Sequence, residues 1–157
     1  MKIRVASDLH LEFYDYKSHI SSYKRDMNEL VSIPKMDDDK DTVLILAGDI
    51  LNARETSKWE VFFKNLSERF KYVVTIMGNH EHYNGDFQKS YADIQSFYKK
   101  FDNIIILENE SIELEDVKIF GATLWTDFAR CNPFSMHMAQ SSMPEYSVVM
   151  NGLNRLS

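Results

Sequence analysis

Asp8 and His10, two positions apart, Asp49 behind Gly48, and the adjacent pair Asn79-His80 are the side chains best placed to do chemistry. Carboxylate oxygens, an imidazole nitrogen and an amide carbonyl together suit borderline divalent ions such as Mn, Fe or Zn. Residues two apart at a strand end can face the same side, because the strand period is two. Asp49 has two oxygens and can bridge two ions, while Asn79 adds a neutral oxygen to the second. Two ions about 3.5–4 Å apart hold a hydroxide nucleophile and clamp the attacking and leaving oxygens of a phosphoryl displacement. His80, beside such ions, can donate a proton to the leaving alkoxide or hold a phosphate oxygen. A phosphate ester is the natural substrate, since two dications stabilise its developing negative charge.

The elements that must position these residues are three strand-like runs. The apolar run Val43–Ala47 predicts a strand buried on both faces, hence a central strand of an α/β sheet. Lys2–Ser7 leads into Asp8-Leu9-His10, and Tyr72–Met77 leads into Gly78-Asn79-His80-Glu81. Ligands gather at the carboxyl ends of strands in open α/β sheets. Gly48 lets the chain turn so that Asp49 projects outward.

Apolar residues at helical spacing predict helices over about 20–32, 55–70 and 86–101. From Asn103 the rhythm changes to short strands, Ile104–Leu107, Ser111–Leu114 and Lys118–Leu124, with Glu115-Asp116 as a hairpin turn. The expected fold class is therefore α/β, a layered α/β/β/α sandwich formed by one domain over residues 1–157. Asp37–Asp41 reads as a solvated acidic turn. Residues 126–157 form an atypical tail holding four of the eight methionines. Ser142, Pro144 and Glu145 resemble a helix start. Tyr146, Val149, Met150, Leu153 and Leu156 would then form one apolar face, to pack on the body or on another chain.

A net charge of −6 argues against broad, charge-driven binding to nucleic acid, which is not favoured as a partner. The single Cys131 fits a reducing cytoplasm, and no apolar run approaches membrane-spanning length. A cytoplasmic protein with no membrane partner is the expectation.

Asp8-Leu9-His10, Gly48-Asp49 and Gly78-Asn79-His80-Glu81, in this order and each after a strand, resemble the first three motifs of the calcineurin-like metallophosphoesterases. The resemblance covers residues 2–126. It implies that Asp8 and His10 hold a first metal, Asp49 bridges, Asn79 holds a second, and His80 is the catalytic histidine beside the metals. The family's later motifs, a histidine after a further strand and a Gly-His-x-His, have no counterpart in residues 126–157. A second ion would then rest on Asp49 and Asn79 alone, so that one bound ion rather than two is an alternative. His82 is a candidate extra ligand and Arg54 a candidate phosphate anchor. An open sheet edge or the methionine-rich tail would suit homo-oligomerisation. The leading expectation is a phosphoesterase cleaving a mono- or diester by metal-bound hydroxide attack. The alternative is a catalytically weak or inactive derivative serving as a binding module.

Overall fold

The computed structural model describes residues 1–14 and 33–155. The predicted helix over 20–32 lies outside the described residues. Four parallel strands form the central sheet in the order β1 (Lys2–Ala6), β2 (Thr42–Ala47), β3 (Tyr72–Ile76) and β4 (Ile104–Leu107). Right-handed crossovers between strands that follow one another in a single direction place the helices on one face. Helices α1 (Glu60–Arg69) and α2 (Ser90–Tyr98) occupy that face. Phe62, Phe63, Leu66, Ile94 and Phe97 bury against Leu44 and Leu46 of β2. The opposite face of β2–β4, with Val43, Val74 and Leu107, packs against Leu114 and Ile119. Those two belong to an antiparallel hairpin of β5 (Glu110–Leu114) and β6 (Val117–Gly121). Helices, sheet and hairpin are the first three layers of the expected sandwich. The hairpin turns at Glu115-Asp116 as expected, since Leu114 pairs with Val117.

Three boundaries differ from the sequence reading, each for a local reason. Residues Ala53–Trp59 form a 3-10 segment before α1, with the Thr56 hydroxyl bonding back to the Ala53 carbonyl. Such local bonds compete with the α-helical ladder. Helix α2 begins at Ser90, not 86, because the Phe87 amide donates to Met150 instead of to a helical turn. Strand β6 stops at Gly121, where a Cβ would lie 2.6 Å from the Leu107 Cβ.

Two further expectations are corrected. Asp39 is buried, not solvated: it pairs with Arg4 at 2.5 Å and with Arg69 at 2.5 Å, tying β1 and α1 to the turn before β2. The tail is not one amphipathic helix. It folds as α3 (Pro133–Ser142), a single turn α4 (Glu145–Val148), and a small hairpin of β7 (Met150–Asn151) and β8 (Asn154–Arg155). Gly152 turns that hairpin with φ +66°, and Leu153 at its tip is 98% exposed. The tail docks on the body through the Asn84, Phe87 and Met150 amides, which donate to Val148, Met150 and Gly85.

Candidate metal centre

The three motif loops leave the carboxyl ends of β1, β2 and β3 side by side. The first two are zippered by backbone bonds from Asp8, His10 and Leu11 amides to Gly48, Asp49 and Ile50 carbonyls. Asp8, His10 and Asp49 all have positive φ, between 45° and 55°. Non-glycine residues in this region carry a conformational cost and cluster at functional sites. Gly48, at φ +91°, packs its backbone against that of Gly78. A Cβ on Gly78 would sit 2.0 Å from Asp49 Oδ1, so only glycine leaves room for that carboxylate.

His10, Asp49 and His80 each present one donor atom, all within 4.8 Å of one another. The His10 and His80 rings meet edge to face at 4.4 Å. Asp8 is more exposed, its Oδ1 4.0 Å from His10 Nε2. Asp49 Oδ1 accepts the His80 backbone N–H at 3.0 Å. Asn79 donates its amide to Glu145 Oε1 at 2.6 Å and to the Tyr83 hydroxyl oxygen at 3.1 Å, bonds that engage its nitrogen and not its Oδ1. This set of two imidazoles, two carboxylates and an amide oxygen matches the donors that borderline divalent ions prefer.

Three carboxylates that the sequence reading did not single out hold these groups. Glu12, on the short 3-10 turn Leu11–Phe13, is half-buried. Its Oε1 lies 2.8 Å from His80 Nδ1 and 3.3 Å from His10 Nδ1. Glu81 accepts the backbone N–H groups of Asp49, Ile50 and Gly78, clamping two motif loops together. Burial pushes the Glu81 carboxyl up to about 7 against the pull of those amides, with the Asp49 charge acting in the same upward sense. Glu145, brought by α4 of the tail, is buried and also accepts from the Tyr83 hydroxyl at 3.0 Å. Burial and the Glu145 carboxylate push the Tyr83 phenol up to about 12, so it remains a donor. The signal for Glu12 was its place two residues past His10; Glu145 carried a helix-start signal, which says nothing of its contact with Asn79.

His82 lies buried against Phe87 and Trp125, at ring distances of 4.8 and 5.9 Å. Burial pushes its imidazole down to about 4. Arg54 donates to the Asn84 carbonyl at 2.6 Å. A cavity of about 600 Å³ opens over the site, walled by Asp8, Gly48, Asp49 and Asn79 on one side and by residues 122–126 on the other.

A parallel sheet with His, Asp and Asn side chains gathered at its carboxyl edge offers the donors that suit a divalent cation. The family model for calcineurin-like phosphoesterases matches residues 1–150, and the chain belongs to that family. An uncharacterized protein of Acanthamoeba polyphaga mimivirus is 33% identical over 152 residues, covering 88% of this chain and 49% of that protein. The crystal structure of phosphopantetheinyl hydrolase (PptH) from Mycobacterium tuberculosis superposes with a TM-score of 0.63 at 17% identity. That match covers 99% of this chain and 57% of the hydrolase, and it concerns the fold. The chain thus spans about half the length of the relatives it matches. Among the described residues no helix is long and apolar enough to cross a membrane.

Proposed function

We propose that this chain carries the metal-binding face of a hydrolase that cleaves a phosphate mono- or diester at a dinuclear centre. The observation that carries the reading is the convergence of His10, Asp49 and His80 within 4.8 Å at three adjacent strand ends. Asp8 and His10 would hold one divalent ion, Asn79 a second, and Asp49 would bridge them. Such ions supply positive charge to the phosphoryl transition state and make water acidic enough to act as hydroxide at neutral pH.

The chain's own residues do the rest. His80 accepts orientation from Glu12 at Nδ1, which keeps a proton on that nitrogen and leaves Nε2 to serve the substrate. From Nε2 it protonates the leaving oxygen or holds a phosphate oxygen. Glu145 and Tyr83 fix the Asn79 amide so that its carbonyl oxygen is presented without rearrangement. The Glu81 clamp keeps Asp49 in its left-handed conformation.

Elemental analysis after dialysis against trace Mn should give about two ions per chain, with hydrolysis of a generic aryl phosphate that Asp49→Ala abolishes. Hydrolysis that survives Asp49→Ala removes Asp49 from the bridging role. A stoichiometry of one ion removes the dinuclear centre.

A further inference from the structure

Next to the metal cavity lies a smaller one of about 190 Å³, walled by Phe87, Trp125, Phe128, Met143 and Tyr146. The two cavities share Trp125, Thr126, Met143 and Glu145, so a molecule held at Asp49 and Asn79 can extend from one into the other. An apolar cavity of about 150 Å³ accommodates one benzene molecule, which sizes this one for a single aromatic ring. Its walls are set before any ligand arrives. Buried His82 backs both Phe87 and Trp125, whose rings lie 6.0 Å apart, and the Phe87 amide is bonded to Met150. Aromatic faces and a methionine thioether are the surfaces on which a further ring packs best. Among the described residues no lysine or arginine lines the cavity, and the one charged residue that does, Glu145, already accepts from Asn79 and Tyr83. A second phosphate or carboxylate would find no counter-charge among these residues; a neutral ring needs none.

We infer that this cavity is the leaving-group subsite, and that the substrate is a phosphate ester whose alcohol carries a neutral aromatic ring. The inference rests on the hydrolase reading above and adds to it the class of ester. Benzyl phosphate and ethyl phosphate test it, because their alcohols are of closely similar acidity and differ in the ring. The metal-loaded protein should favour benzyl phosphate ten- to a hundredfold in kcat/KM, the range given by burying one ring. Trp125→Ala and Phe128→Ala should each bring the benzyl-to-ethyl ratio towards unity. Trp125 is 41% exposed, so its replacement leaves the core intact.

Equal rates for the two esters, or a ratio that neither variant changes, overturns the subsite. The hydrolase reading is judged separately, by the aryl phosphate assay; if neither alkyl ester is cleaved, the subsite is judged by binding. Of the two tryptophans, Trp59 is buried and Trp125 is not, so ligand-dependent fluorescence reports on Trp125. With Zn²⁺ present, a saturable change with benzylphosphonate but not with ethylphosphonate upholds the subsite. No such difference overturns it.

Discussion

Glu12 is the residue through which two imidazoles are set at once. A carboxylate bonded to the second nitrogen of a metal-site histidine fixes its tautomer, and losing such a partner typically costs about 10–100-fold in affinity or activity. Glu12→Gln keeps the size and removes the charge. On the hydrolase reading it should lower kcat by about 10–100-fold with a smaller change in KM, as steady-state kinetics will show, while Glu12→Asp recovers part of the loss. Equal falls in both variants with a raised KM would mean that Glu12 only holds the loop. Gly78→Ala is the complementary change on the other side of the site. Its methyl would sit 2.0 Å from Asp49 Oδ1 and must displace that carboxylate. We expect bound metal, read by elemental analysis, to fall to the level of Asp49→Ala.

Among the elements, the turn before β2 is held by a buried charge cluster, not by propensity. Asp39 takes Arg4 from β1 and Arg69 from α1, and the Met36 amide bonds to the same carboxyl. Burial alone would raise this carboxyl, but the bonds from Arg69, Met36 and Arg4 prevail and hold it below the ordinary value of 3.8. A depressed folded-state value stabilises the fold above the unfolded value, and that contribution is lost as pH falls through the folded one. Denaturant titrations should therefore show stability falling below about pH 4, with Asp39→Asn flattening that limb. At neutral pH Asp39→Ala should cost about 2–4 kcal/mol, because two arginines lose their partner.

The alternating strand and helix rhythm made these elements legible: the four parallel strands and the hairpin follow from runs of apolar residues, and the Asp, His and Asn ligand candidates from where those runs stop. What escaped was long-range. Asp39 reads as one more acid in an acidic run until Arg4 and Arg69 arrive from 35 and 30 residues away. The tail's hairpin carries a local turn signal in Asn151-Gly152, but the backbone partners that dock it on loop 84–87 have no local pattern to announce them. Helix α3 was legible and missed. Asn132 caps it by accepting from the Phe134 and Ser135 amides, and Pro133 occupies its first turn, a standard start signal.

At the scale of the whole molecule, among the described residues, helices pack on one face of the sheet and the hairpin covers the other only as far as β2. Ile3 and Val5, in register with Val43 and Ile45, are 42% and 66% exposed on edge strand β1. On the proposed reading, a cation bound at the centre would tie β1, β2 and β3 to one another at their carboxyl ends. A ligand at about 100 times its dissociation constant stabilises by about 2.7 kcal/mol, or roughly 5–10 °C in Tm for a chain of this size. Thermal melts with and without saturating Mn should differ by that amount, and Asp49→Ala should erase the difference.

The tail's docking also sets an order of events. Asn79 meets Glu145 across 66 positions of chain, and loop 84–87 meets Met150 only after nearly all of the described chain exists. A contact of such sequence separation closes late, because the loop entropy must be spent before the bond is made. During synthesis the sheet and its first two motif loops are complete long before the amide of Asn79 meets Glu145. The nascent protein is therefore expected to pass through a stage in which Asp8, His10 and Asp49 are in place and Asn79 has Tyr83 alone as its partner.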